Sequence, residues 1–390
     1  MTTPQEFQLL LYCARSRPDA QGIRELVERD VNWQALVGLA QQHSVRPILL
    51  QSLKSVCWDA IPQTTKLELE QFSRANVQKN LLFTRELLRI FDLFQQNRIP
   101  TATFKGPVLA LSVYGGLALR EFSDLDLLVR ESDLCKAENV LAACGYQADF
   151  PDKDYRSAFV SYQGQLAFRH GKTGISIDLH WRLSSKGVAF PIQSTEIWPR
   201  LEQVKIAGRT VSTLPRDDLV LFLAAHGTKE GWSSLGWVCD FAQLLRNAHD
   251  IDWAAIIERA QRSYSSRMLL LAILLASTLL DAPAPAHLVD KARSSSRVRA
   301  LAKKARLTML RTGPQGEVGE FLNGLNTHDR LWHRLWPIAT LLTTRTVGDY
   351  RAMPLPKSLW GIYYLTRPFR LAGKAAQMVL RTNVENPAGV

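Results

Sequence analysis

Gly115-Gly116-Leu117-Ala118-Leu119-Arg120-Glu121-Phe122-Ser123-Asp124-Leu125-Asp126-Leu127-Leu128-Val129 carries the strongest local signal in this chain. The glycine pair stops the element before it. A strand follows over Leu125 to Val129, flanked by polar residues. Successive strand side chains point to opposite faces. Asp124 and Asp126 therefore share one face, and Leu125, Leu127 and Val129 face a core. Two carboxylates about 7 Å apart along a strand repel each other when both are ionised, and a divalent cation between them relieves that repulsion.

The neighbouring residues extend this unit. Ile99 to Phe104 reads as a short buried strand, and Lys105-Gly106-Pro107 opens a helix that runs to about Tyr114. Ser132 and Asp133 start a helix over about 133–144, which Gly145-Tyr146 ends. Two strands are predicted near 159–169 and 174–183, joined by the turn Gly171-Lys172-Thr173-Gly174. On the second, Ile175, Ile177 and Leu179 alternate with Ser176, Asp178 and His180. If that strand lies beside 124–129, three carboxylates converge, the ligand set for two-metal phosphoryl transfer. A further hairpin is expected over Val204 to Leu214.

Helical patterns flank this unit on both sides. Residues 5–95 repeat apolar residues at helical spacing, and no Gly or Pro interrupts 65–96. Helices are predicted again over 217–228, 234–248, 252–262 and 265–281. Pro283 and Pro285 mark a turn, Lys291 to Ala300 is a polar helix surface or a linker, and 313–330 starts as a loop at Gly313-Pro314. The expected fold is α+β, a small mixed-sheet core with a helical domain on each side. Its parts are an N-terminal helical domain (1–95), the core (96–215) and a C-terminal helical domain with a basic tail (216–390).

Composition bounds the class. The 390 residues include 48 Lys+Arg and 36 Asp+Glu, and 46% are hydrophobic, which excludes collagen, a disordered chain and a disulfide scaffold. Residues 1–290 hold 31 basic and 31 acidic side chains, whereas 291–390 hold 17 basic and 5 acidic, so the whole +12 lies in the last hundred residues. Five widely spaced cysteines form no CxxC pair, so neither zinc nor a disulfide framework is indicated. A reducing cytoplasm is the expected compartment, with peripheral membrane contact as a variant. Residues 1–20 show no basic start followed by an apolar run. The most apolar stretch, Met268 to Leu280, is shorter than the roughly 18–20 residues of a membrane span and reads as a core helix.

Several residues suit phosphate recognition. Gly115 and Gly116 let backbone N–H groups approach phosphate oxygens, or they simply end a helix. Ser123 offers a hydroxyl, and Lys105 and Arg120 offer positive charge. His180 shares the face of Asp178, as a substrate contact or as a polar core residue. His226, in an apolar helix, reads as a buried histidine, and Asp240 as a structural acid that pairs with a cation or caps a helix. Trp232 and Trp237 suit helix packing better than base stacking. Residues 360–381 interleave aromatic and aliphatic side chains with Arg367, Arg370, Lys374 and Arg381. Such a helix packs on its own protein by default, and otherwise lies on anionic membrane or RNA.

The glycine pair followed by Ser123-Asp124-Leu125-Asp126-Leu127-Leu128-Val129 resembles the signature of the DNA polymerase beta-like nucleotidyltransferase superfamily. Phe104-Lys105-Gly106, Tyr114, Arg120, Asp124-Leu125-Asp126, Cys144-Gly145-Tyr146 and Asp178-Leu179-His180-Trp181 resemble the family described as uncharacterised nucleotidyltransferase. Leu221 to Leu245 and Tyr363 to Leu371 resemble its later segments. The resemblance implies transfer of a nucleoside monophosphate from an NTP, ATP by default, to an acceptor hydroxyl, dependent on Mg2+ or Mn2+. It implies Asp124 and Asp126 as metal ligands, with Asp178 completing the site or acting as base. The acceptor is open among a small molecule, a saccharide, a peptide and a protein. Members of the superfamily commonly have Gly-Ser where this chain has Gly115-Gly116. That departure keeps an alternative in view, a non-catalytic module that binds a nucleotide or a partner.

Overall fold

The computed structural model describes residues 4–15, 17–148, 156–184, 190–192, 194–247, 250–310 and 347–384. Seven strands form one sheet: β1 (Thr101–Thr103), β2 (Asp124–Val129), β3 (Tyr146–Ala148), β4 (Gln165–His170), β5 (Ser176–His180), β6 (Glu202–Ile206) and β7 (Arg209–Thr213). Their order across the sheet is β3-β4-β5-β2-β1-β7-β6. β2 and β5 are parallel, as are β1 and β7; the other pairs are antiparallel. The fold is the expected mixed sheet flanked by helices.

Five helices precede the sheet: α1 (Gln5–Ala14), α2 (Ala20–Val27), α3 (Trp33–Gln42), α4 (Arg46–Val56) and α5 (Gln63–Gln96). The long α5 matches the uninterrupted pattern in the sequence. It ends where Arg98 takes φ +55 and Ile99 N–H returns to the Phe94 carbonyl at 2.8 Å. Inside the sheet unit lie α6 (Gly106–Tyr114), α7 (Leu134–Ala143), α8 (Arg156–Tyr162) and α9 (Ser194–Ile197). Then follow α10 (Arg216–Lys229), α11 (Leu235–Asn247), α12 (Trp253–Arg262), α13 (Ser266–Leu280), α14 (Ala286–Ser294) and α15 (Ser296–Met309). The segment Lys291 to Ala300 is therefore helix surface. The loop expected over 313–330 lies outside the described residues.

One strand prediction needs correction. Residues 159–169 were expected to be extended throughout, but α8 runs to Tyr162 and β4 begins only at Gln165. The β-favouring Phe159, Val160 and Tyr162 gave the strand signal. Tertiary packing overrides it: Phe159 and Val160 pack on the core, and the Trp181 indole N–H donates to the Val160 carbonyl at 3.2 Å.

The sheet is covered on both faces, and the strand alternation sorts its residues. Leu125, Leu127 and Val129 of β2, with Ile177 and Leu179 of β5, pack in one cluster with Phe83, Leu87 and Phe94 of α5 and with α7. Leu128 packs instead with Ala102, Phe104 and helices α10, α11 and α13. Asp124 and Asp126 share the face of Leu128, so they look toward the later helices. That second cluster also takes in side chains of α1 to α4, so early and late helices share one apolar core. At their junction the His43 carbonyl accepts from Gly236 N–H and the Ser234 hydroxyl, both at 3.1 Å.

The C-terminal segment comprises α16 (Val347–Ala352) and α17 (Tyr363–Val384). Trp360 and Tyr363 are buried in a small cluster with Tyr350, Met353 and Leu355. Arg367 is buried in an ion pair with Asp349, which Arg370 Nε also reaches at 2.8 Å. The segment thus packs on itself, while Leu365 and Phe369 stay exposed. No helix among the described residues is long and apolar enough to cross a membrane.

Candidate active site

The parallel pairing of β2 and β5 puts Asp126 directly opposite Asp178, and Leu128 opposite His180. Neighbouring strands lie about 4.8 Å apart, so two carboxylates and an imidazole meet on one face. One oxygen each from Asp126 and Asp178 and one ring nitrogen of His180 lie within 4.8 Å of one another. Asp124, two residues before Asp126 and on the same face, stands outside that group.

Asp126 is 2% exposed. Its Oδ1 receives Lys105 Nζ at 3.3 Å and His180 Nε2 at 3.0 Å. Burial works against its ionisation, but Lys105 and the His180 contact outweigh burial and hold the carboxyl below the usual range. Its other oxygen, Oδ2, is buried with no hydrogen-bond partner among the described residues. A buried carboxylate oxygen left without a donor is costly. A cation would satisfy it.

The other two carboxylates behave differently. Burial and then the charge of Asp126 push the Asp124 carboxyl up to about 6. Among the described residues Asp124 accepts no hydrogen bond. Burial also raises Asp178, whose Oδ2 accepts from the Gln165 amide at 2.7 Å. One ionised carboxylate thus sits beside two that are reluctant to ionise without added positive charge. This donor set fits a hard divalent cation.

The turn before β2 is braced from three sides. From α5, the Asn80 amide donates to the carbonyls of Leu117 at 2.7 Å and Arg120 at 2.9 Å, and Asn76 reaches the same Arg120 carbonyl at 3.2 Å. From α4, Arg46 grips Glu121 through its guanidinium, with Nη2 at 2.7 Å, and through its backbone N–H at 3.0 Å. From α11, Asp240 takes Arg120 Nε and Nη2, each at 2.9 Å, and the Tyr114 hydroxyl at 2.7 Å.

The structure distributes the expected phosphate-binding residues unevenly. Lys105 lies in the site, with its ammonium 5.6 Å from the Phe222 ring centre. Arg120 is committed to Asp240, although its Nη1 is buried without a partner. Gly115 takes φ +74 as the left-handed end of α6, and both Gly115 and Gly116 N–H groups donate to the Ala110 carbonyl. The pair therefore ends a helix, with open space where either Cβ would be. Ser123 is exposed beside Asp124. Asp240 takes the cation partner expected of a buried acid, and Trp232 is buried as helix packing.

His226 stacks on Phe222 at 5.7 Å, and its ring meets Trp237 edge-on. Burial, then the nearby charge of Lys105, holds its imidazole neutral. Sequence reasoning missed Arg46, Asn76, Asn80 and Gln165. The one available signal was two asparagines four residues apart on the buried stripe of α5, polar groups that demand partners. A separate cavity, lined by Arg98, Thr101 and Arg209, opens at the other end of the sheet. It holds the Arg209–Asp92 ion pair and, among the described residues, no carboxylate–histidine group.

Two outcomes are expected. Asp240→Ala leaves a nearly buried guanidinium unpaired and should cost about 3–5 kcal/mol in denaturant unfolding. For Asp124, a folded pKa of about 6 lies above the ordinary carboxyl value. Its protonated form therefore favours folding below about pH 4, and that contribution is lost as pH rises through 6. Asp124→Asn should accordingly stabilise the metal-free protein at pH 8 by about 1–3 kcal/mol.

The profile of a family described as uncharacterised nucleotidyltransferase matches residues 29–281. The match runs from just before α3 to the end of α13, so it takes in helices on both sides of the sheet. Tyr363 to Leu371 falls outside it. No curated protein matches the chain. With well over half its length matched, the chain belongs to the uncharacterised nucleotidyltransferase family.

Proposed function

We propose that this protein transfers a nucleoside monophosphate from an NTP, ATP by default, to an acceptor hydroxyl and releases pyrophosphate. The observation that carries this reading is the register that seats Asp126 beside Asp178, with one oxygen of Asp126 buried and unpartnered. Family membership supports the reaction class.

Asp124, Asp126 and Asp178 would hold Mg2+ or Mn2+, and His180 fixes the Asp126 carboxylate by occupying its Oδ1. Bound there, the ions would stabilise charge on the triphosphate and lower the pKa of the attacking hydroxyl. The remaining work falls to the chain's own groups. Lys105 balances phosphate charge from the end of β1. Asp178, held by Gln165, accepts the proton of the acceptor hydroxyl. The acceptor oxygen forms a bond to the α-phosphorus as the α–β bridging P–O bond breaks, and pyrophosphate leaves with the electron pair. The braced turn keeps Asp124 and Asp126 in place throughout.

A second reading has its own observation. Gly115 and Gly116 donate their N–H groups to Ala110 rather than presenting them to a ligand. A module that binds nucleotide without turnover would tolerate that arrangement. Calorimetry with each of four NTPs and Mg2+, followed by a pyrophosphate assay with candidate hydroxyl acceptors, separates the two. The proposed enzyme releases pyrophosphate with one acceptor, and Asp126→Asn lowers that rate at least about 100-fold, the scale of a lost metal-centred electrostatic contribution. Equal rates for wild type and variant would sink the proposal.

A further inference from the structure

Arg120 was expected to meet phosphate, yet Asp240 holds it. A different basic side chain lies by the same turn. Lys79 projects from α5, one residue before the bracing Asn80, and its ammonium lies 5.9 Å from the ring centre of Phe122. Phe122 is two residues before Asp124. The charges of Glu121 and Asp124 act on Lys79 and favour its protonated form. Glu121 is engaged by Arg46 through three contacts, at 2.7, 3.0 and 3.3 Å. Among the described residues Lys79 makes no ion pair.

We propose that Lys79 binds the triphosphate tail of the nucleotide, reaching from the N-terminal helices across the turn that carries Asp124. This rests on the nucleotidyltransferase reading and assigns a residue within it. A half-buried ammonium beside an aromatic ring has lost part of its hydration and keeps its charge most easily when an anion arrives. Burial does lower the Lys79 pKa, and Arg46 adds to that effect. Lys105, at the end of β1, is ion-paired to Asp126. Two ammonium groups, one from α5 and one from the end of β1, would then serve the same phosphate chain. This placement gives α5 a direct part in binding, beyond its packing under the sheet. Its partner is the phosphate chain and not the base, so it should discriminate triphosphates from monophosphates and be indifferent to base identity.

The test uses the full-length protein and calorimetry with Mg2+ and a non-hydrolysable ATP analogue, alongside AMP and Mn2+ alone. Lys79→Ala should weaken binding of the triphosphate analogue about tenfold or more, the scale of one charge-assisted hydrogen bond. It should leave AMP and Mn2+ affinities within about twofold of wild type, and Lys79→Arg should recover most of the loss. A thermal melt of each variant shows that the fold is retained. Unchanged triphosphate affinity in Lys79→Ala would overturn the assignment and leave the nucleotidyltransferase reading standing. Tightened Mn2+ affinity with unchanged preference for triphosphate over AMP would also overturn it, by making Lys79 a partner of Asp124 that competes with the cation. Absence of nucleotide binding by wild type, with any of the four bases, would remove both.

Discussion

The site depends on one buried electrostatic constraint: Asp126 and Asp178 face each other across two parallel central strands. Like charges at that distance in a water-poor setting cannot both ionise freely. The protein resolves part of the conflict with Lys105 and His180, which converge on a single oxygen of Asp126. The other oxygen stays unsatisfied. A purely structural carboxylate would have acquired a donor there, because an orphaned buried acceptor destabilises the fold. Retaining it is understandable when a cation completes the arrangement.

The rest of the structure keeps this constraint in place. Apolar side chains of β2 and β5 fill the opposite face against α5 and α7, which fixes the register: a slip by one residue would turn every carboxylate into the core. The turn leading into Asp124 has no regular structure of its own, and its carbonyls and side chains are held by residues from α4, α5 and α11. Those helices lie far apart in the chain but share one apolar core. Early and late helices therefore jointly hold the turn before β2. The family match, which spans helices on both sides of the sheet, fits that cooperation. Lys291, Arg297, Arg299 and Arg306 are exposed on α14 and α15, beyond the matched residues.

Much of this was legible in the sequence, for identifiable reasons. Strand alternation sorts side chains by face with a period of two, so the shared face of Asp124 and Asp126 followed from spacing alone, and so did the polar face of Asp178. The long α5 followed from 32 residues without Gly or Pro. What could not be read was pairing between distant residues. That β5 would lie beside β2 was a condition, not a deduction. The Arg120–Asp240 clamp joins residues 120 positions apart. Nothing local in Arg120 distinguishes a phosphate ligand from a buried ion-pair partner. The same limit hid Asn80, whose role comes from where the turn crosses α5. At Phe159 and Val160, local propensity pointed to a strand and tertiary packing made a helix.

The central claim is that the carboxylates of β2 and β5 form a divalent-cation site. Crystals grown with Mn2+ and a non-hydrolysable triphosphate, measured at a wavelength where manganese scatters anomalously, test it most directly. The account predicts an anomalous peak about 2.2 Å from Asp126 Oδ2, with Asp178 and Asp124 in its coordination sphere, as expected for oxygen-ligated first-row divalent ions. A map with no peak at these carboxylates, in crystals that hold the triphosphate, would contradict it.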